Sequence, residues 1–393
     1  MLGFSWNNSY FCGMKKIVIL LLAIVPLAAF GQKRALYEFK KNMPVYCDSL
    51  IADMKYPLAW GQSDISDFSQ WKQTARRKVL ECMMTPPPAP QAWNVVVLGE
   101  EQRDGYVARK LEFQLSRYYK VRAYMLVPQD DRTKHPAINL LHDHGAHLFI
   151  GKEKMIIPFQ EDSVIIKDAF DWQTKVYGGQ FWGDYMARRG YVVFSADAPL
   201  WGERGREEGV DRSKYDMIAG NMQMYGRCLS AFMTYDDIAT TELLATLPEV
   251  DADRIGCAGC SMGAYRAWML SALSDRIKVG AAVCWMVTSD VQLTLKYGRS
   301  ENGGFANCIP ALRQYMDYPH IASLACPKPM LFINGSQDKL FPVPGAEKAF
   351  AEMHRVWDSQ GVGERLVTEL WDMPHGCPPE AQQRVVEFFD KNL

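Results

Sequence analysis

The chain reads as an α/β fold: a mostly parallel central sheet with an antiparallel N-terminal edge, helices on both faces, and an N-terminal helical extension. Three observations predict it. Short, wholly apolar runs alternate with helix-length segments from residue 137 onward, the pattern of strands buried on both faces and joined by crossover helices. Three earlier runs between residues 95 and 127 carry the alternation of apolar and charged residues expected of an antiparallel edge. The composition is that of a folded globular chain of 393 residues, 48% hydrophobic and 23% charged, which excludes disorder, collagen and coiled coil.

In chain order, Lys15 and Lys16 precede the apolar run Ile17 to Phe30, which holds Pro26 and is 14 residues long. A membrane-spanning helix needs about 20. The run ends in Ala29-Phe30-Gly31, small residues where a signal peptidase reads, so residues 1–31 are expected to be a leader cleaved before Gln32. Residues 1–13 fit neither a signal n-region nor a fold, and Met14 reads as the better start. The mature protein is expected in the periplasm or outside the cell, with no membrane span after processing.

Residues 32–90 read as a helical extension that stops at the stiff break Pro86-Pro87-Pro88. The strands of the edge follow at Val95 to Leu98, Val107 to Leu115 and Val121 to Val127. Buried strands are predicted at Ala137 to Leu141, Tyr191 to Phe194, Ile255 to Ala258, Ala281 to Val287, Met330 to Ile333 and Leu366 to Leu370. Helices are expected around 180–189, 219–246, 262–274, 345–358 and 379–392. Residues 91–393 are thus expected to form one domain.

With 44 Lys+Arg against 45 Asp+Glu the net charge is -1, so nothing drives the chain as a whole toward nucleic acid or an anionic membrane. The ten cysteines show no repeated spacing and read mostly as small buried hydrophobes. Cys257-x-x-Cys260 could form a redox or zinc pair, but Cys257 falls in a buried strand and no second pair follows.

The strongest local signal is Gly259-Cys-Ser261-Met-Gly263, a G-x-S-x-G turn between a buried strand and a helix. Such a turn lifts the serine hydroxyl above the sheet and aims the N–H groups of the following helix at an oxyanion. Ser261 is therefore the candidate nucleophile and Met262 the first oxyanion donor. A serine needs a base and the base an orienting acid. Asp338 ends the loop after the strand at 330–333, and His375 lies on the loop after the last strand. The order Ser, Asp, His with each residue after its own strand is that of a hydrolytic triad. Asp290 and Asp317 are rival acids.

The segment His142-Asp143-His144-Gly145-Ala146-His147 holds three of the seven histidines. One reading makes His142, Asp143 and His144 metal ligands; the favoured one makes this the loop whose backbone, at Ala146, completes the oxyanion hole. The chemistry so read needs neither metal nor cofactor. His144, Trp201 and Trp285 are the candidate substrate contacts, since tryptophans at strand ends can stack on a sugar. Asp197 or Glu203 reads equally well as a substrate contact or as the acidic half of an ion pair pinning the 201–205 loop.

Taken together, His142-Asp-His-Gly, Asp197 with Trp201-Gly-Glu-Arg-Gly, Gly259-Cys-Ser-Met-Gly, Asn334-Gly-Ser-Gln-Asp338 and Pro374-His375-Gly resemble the dienelactone-hydrolase-type α/β-hydrolases. They are similar in particular to the secreted bacterial esterases of acetyl xylan esterase type. The resemblance covers residues 91–393 and implies hydrolysis of a small-molecule or polysaccharide carboxylic ester. Glucuronoyl esterases share the Gly-Cys-Ser start but continue with an arginine where this chain has Met262, and so rank second. A peptidase of the same fold, or a silent binding protein on it, ranks lower.

Overall fold

The computed structural model describes residues 38–40, 43–297 and 304–393. The expected leader lies outside them. A two-residue ladder, β1 (Phe39–Lys40) with β2 (Met43–Pro44), leads into helices α1 (Cys47–Ala52) and α2 (Phe68–Cys82). In α2 the Asp67 carboxylate caps the first turn by accepting from Gln70 N–H at 2.7 Å. Trp71, Ala75 and Val79, spaced by four residues, bury one face. That face joins the core around Trp268 and Trp285, so the extension packs into the body.

Nine strands form the central sheet: β3 (Val96–Arg103), β4 (Tyr106–Ser116), β5 (Tyr119–Pro128), β6 (His135–Leu141), β7 (Val192–Ala196), β8 (Val250–Cys260), β9 (Ile277–Val283), β10 (Met330–Gly335) and β11 (Leu366–Trp371). Their order is β11-β10-β9-β8-β6-β7-β5-β4-β3. From β11 to β7 every pairing is parallel, and from β7 to β3 every pairing is antiparallel. The period of two sorts side chains to opposite faces: Val193 joins one core, Val192 and Phe194 the other. β3 differs from the buried strands. Its start, Val96 to Leu98, stands exposed at the sheet edge.

On one face lie α3 (Ser163–Trp172), α4 (Trp182–Arg188) and the C-terminal helix, packed on Ile138, Val193 and Ile333. On the other lie α6 (Leu229–Leu244), α7 (Met262–Leu273), the short α8 (Ser289–Gln292) and α9 (Tyr318–Ala322), and α10 (Val343–Ser359), while α5 (Arg212–Met224) packs on Ala198, Trp201 and Met262; α11 (Pro379–Asn392) closes the chain. The expected helix at 219–246 is two helices, broken where Gly226 takes φ +74°. The apolar run Ala281 to Val287 leaves the sheet at Val283, because Cys284 turns with φ +57°. Every residue of α7 is buried. A helix buried on every side lies inside the protein, its one charge, Arg266, paired with buried Asp237, and this one sits under the sheet's carboxyl edge, where strand order reverses between β8 and β6.

Candidate active site

Ser261 stands between β8 and α7 with φ +57° and ψ −124°, a conformation costly for any residue with a side chain. Two close backbone approaches hold it there. A Cβ on Gly259 would lie 2.3 Å from the carbonyl carbon of Gly263, and one on Gly263 would lie 2.0 Å from Leu141 O. Both glycines of the turn are therefore dictated by packing of β6, β8 and α7. Ser261 N–H donates to Val283 O at 2.9 Å, tying the turn to β9.

The structure brings the three expected side chains together. His375 Nε2 lies 2.9 Å from Ser261 Oγ, and His375 Nδ1 lies 2.6 Å from Asp338 Oδ2. Asp338 is buried, and its second oxygen accepts from Leu340 N–H at 2.8 Å. The histidine loop is held from two sides: Cys377 N–H donates to Val176 O at 2.9 Å, and the Cys284 thiol donates to Gly376 O at 3.2 Å. The Phe341 ring lies against the imidazole, 5.8 Å between centroids and 24° from parallel. The rival acids are engaged elsewhere. Asp290 pairs with Lys348, while Asp317 caps α9 and accepts from Ser289 N–H at 2.8 Å.

In the 142–147 loop the structure corrects one expectation, that Ala146 completes the oxyanion hole. His142 Nδ1 lies 2.9 Å from Asp143 O and its Nε2 accepts from Ala198 N–H at 3.0 Å, so both ring nitrogens are occupied and the ring is buried. The Asp143 carboxylate is taken up by Tyr177 OH at 2.7 Å, Trp172 Nε1 at 3.1 Å and Lys154 Nζ at 3.3 Å. Burial works against that charge, but the Lys154 ammonium and the two hydrogen bonds hold its pKa below the usual carboxylate range. These side chains do not converge as a ligand set. Ala146 N–H donates to His144 Nδ1 at 2.9 Å and is not free for an oxyanion. The bond also fixes the proton of neutral His144 on Nε2. Burial, then the charges of Lys154 and Arg212, push the His144 pKa down to about 3.

Lys154 is a residue that sequence reasoning missed. Its ammonium, fully buried, also donates to the carbonyls of Asp143, His144 and His147, and so shapes the whole loop. Lys152 is equally buried and binds Asp197, Glu153 and Glu203 at 3.0 to 3.1 Å. Burial opposes its charge, but these carboxylates hold its pKa above the usual lysine range. Asp197 and Glu203 are thus loop anchors.

Ser261, His375, Met262, His144, Gly145, Trp285, Phe341 and Trp172 help line a cavity of about 370 Å³, the size that takes a small ligand. Trp285 is on its wall. Trp201 is not: it is fully buried behind His144, its Nε1 donating to His144 O at 3.3 Å and its ring meeting the imidazole edge-on at 4.8 Å. Its place is support of the loop and not contact with substrate. Cys257 and Cys260 are both buried free thiols, and burial pushes Cys257 up to about 12, which leaves it a poor thiolate ligand.

A parallel sheet with an antiparallel edge, a strained serine between strand and helix, and an acid and a histidine on the loops after the last two strands define the α/β-hydrolase class. The model of the abhydrolase family matches residues 46–354, and the chain belongs to that family. It is 29% identical over 290 residues to a Bacillus subtilis (strain 168) protein provisionally named hydrolase YtaP, covering 74% of this chain and 89% of that protein. Among solved structures it is similar to a protein provisionally named acetyl xylan esterase from Bacteroides fragilis NCTC 9343, with a TM-score of 0.63 and 20% identity over 83% of this chain and 81% of that one. It is also similar to a glucuronoyl esterase from Solibacter usitatus, with a TM-score of 0.58 and 14% identity over 87% and 99%. These structural likenesses show the fold.

Proposed function

We propose that this protein is an exported serine carboxylic-ester hydrolase that deacetylates plant-type polysaccharide or oligosaccharide. The observation that carries the reading is the unbroken relay from Asp338 through His375 to Ser261, at 2.6 and 2.9 Å. His375 Nε2 takes the hydroxyl proton as Ser261 Oγ attacks the ester carbonyl carbon, and Asp338 steadies the imidazolium. The oxyanion is received by Met262 N–H at the head of α7 and by an N–H of the 144–147 loop. Since Ala146 is engaged, that second donor falls to His144 or Gly145, whose N–H groups have no acceptor among the described residues. His375 returns the proton to the departing alkoxide. Water, deprotonated by the same imidazole, then cleaves the acyl-serine and releases the acid.

The leader-like pattern at residues 15–31 supports export, and no helix of the described residues is long and apolar enough to cross a membrane. The names of the structural neighbours support an ester-decorated polysaccharide as the substrate class. Acetate release from acetylated xylan, compared with p-nitrophenyl acetate and a glucuronoyl ester, tests the reading. The acetyl substrates are expected to turn over and the Ser261→Ala variant to lose about 10⁴-fold or more in kcat. Ser261→Ala with near-wild-type rates overturns the mechanism, and turnover confined to the glucuronoyl ester overturns the substrate.

A further inference from the structure

Two cations line the candidate cavity, Lys175 and Arg212. Lys175 belongs to the π-helical turn Gln173–Tyr177, whose Val176 carbonyl accepts from Cys377 N–H at 2.9 Å and so joins this wall to the histidine loop. Arg212 opens α5 and lies over the Tyr215 ring, 5.4 Å from its centroid. Tyr215 in turn meets His144 edge-on at 5.4 Å, which places Arg212 on the oxyanion-loop side.

Among the described residues neither charge is held in a buried ion pair. Among the described residues Lys175 pairs with no carboxylate; its ammonium rests 5.1 Å over the Trp172 ring. The carboxylate near Arg212 is Asp216, 3.4 Å away on the same helix and about half exposed, a weak solvent-screened pair. Among the described residues Asp143 is the one carboxylate on the cavity wall, and Lys154, Tyr177 and Trp172 already consume it. Among the described residues the lining therefore carries two cations that no buried carboxylate neutralises, beside the aromatic rings of Trp172, Trp285 and Phe341.

We propose that Lys175 and Arg212 select an ester whose alcohol part carries a carboxylate, such as an acetylated acidic sugar. The inference rests on the ester-hydrolase reading. His375 protonates the leaving alkoxide, so the alcohol part lies on the histidine side, where Lys175 stands at the wall. Arg212, lining the same cavity, adds a planar donor pair suited to a carboxylate.

The test compares 4-acetoxybenzoate with its neutral methyl ester, which differ in the charge on the alcohol part. The readout is the ratio of their kcat/KM values. Wild type is expected to favour the anion by about 10- to 100-fold at low salt, the range of one or two charge-assisted hydrogen bonds. Lys175→Gln and Arg212→Gln are each expected to lower the ratio about tenfold, the double variant to bring it near one, and Lys175→Arg to retain most of it. The preference is expected to shrink at 0.5 M NaCl, where charges separated by more than a few ångströms are screened. A wild-type ratio near one, or a ratio that the glutamine variants leave unchanged, overturns the proposal while Ser261-dependent hydrolysis of the neutral ester stands. Failure of wild type to hydrolyse either ester brings down both readings.

Discussion

Gly263→Ala tests the idea that the serine turn is a packing device. The added methyl would sit 2.0 Å from Leu141 O, 2.8 Å from Leu141 C and 3.0 Å from His142 O, all backbone atoms of β6 and the loop beyond it. Ordinary contact begins near 3.4 Å, so the head of α7 and the end of β6 must part by about 1.4 Å. Neither can yield cheaply, because α7 is buried on every side and β6 is bonded to strands on both flanks. Ser261 and Met262 are carried on the element that moves. A misplacement of about 1 Å at reacting groups costs about 10² in rate, so kcat on p-nitrophenyl acetate is expected to fall at least about 100-fold, with a lowered Tm. Gly220→Ala is the control. It lies in α5 with open space around its Cβ position, and a helical Gly→Ala change stabilises by about 0.5–1 kcal/mol, so activity should hold and Tm should not fall. A Gly263→Ala enzyme with wild-type kcat and Tm would refute the reasoning.

Two further outcomes follow from the same geometry. Asp338→Asn removes the acceptor that fixes the His375 tautomer, and a change of this kind in a serine triad costs about 10⁴ in kcat; Asp290→Asn, at the rival acid, is expected to cost less than about threefold. Equal losses in the two variants, measured with p-nitrophenyl acetate, would reverse the assignment of the acid. Stability is expected to fall in acid as well. His144 is held down to about 3 and His142 well below the usual histidine range, both first by burial, so the unfolded chain binds more protons than the fold below about 6.5. The stabilisation is complete above about 6.5 and declines as pH falls toward 3, by at most about 1.4 kcal/mol per pH unit for each histidine. Urea unfolding at pH 7.5 and 4.5 measures the decline, and His144→Gln should flatten it; an unchanged pH slope in that variant would remove His144 from the account.

What was legible in the sequence and what was not follow one physical division. Strands buried on both faces announce themselves as unbroken apolar runs, and each of the six predicted from residue 137 onward is found as a strand, with ends shifted by a few residues. Ser261, Asp338 and His375 were legible because each follows such a strand, and a sheet edge brings loops together however far apart they lie in sequence. Lys152 and Lys154 were not legible. In isolation Gly-Lys-Glu-Lys reads as solvated surface, since lysine is almost never fully buried unless paired, and the pairing carboxylates come from Asp143, Asp197 and Glu203. Trp201 misled for the converse reason: a tryptophan after a strand end could equally face a ligand or fill a core, and burial decides it. The helix Ser163–Trp172 escaped notice although Asp162 caps it and Ile165, Ala169 and Trp172 share its buried face. Its signal is short and sits in a long connection between β6 and β7.

The complete burial of α7 separates two kinds of mobility in this molecule. Amide protons along that helix should exchange with solvent only through opening of the whole domain, making the backbone beside the nucleophile the slowest-exchanging part of the chain. The segments that bear Lys175 and Arg212 lie instead on short, solvent-lapped turns and helix ends. Selectivity can therefore drift by substitution at those outer walls while the bond-breaking atoms stay registered on a core that no such change reaches.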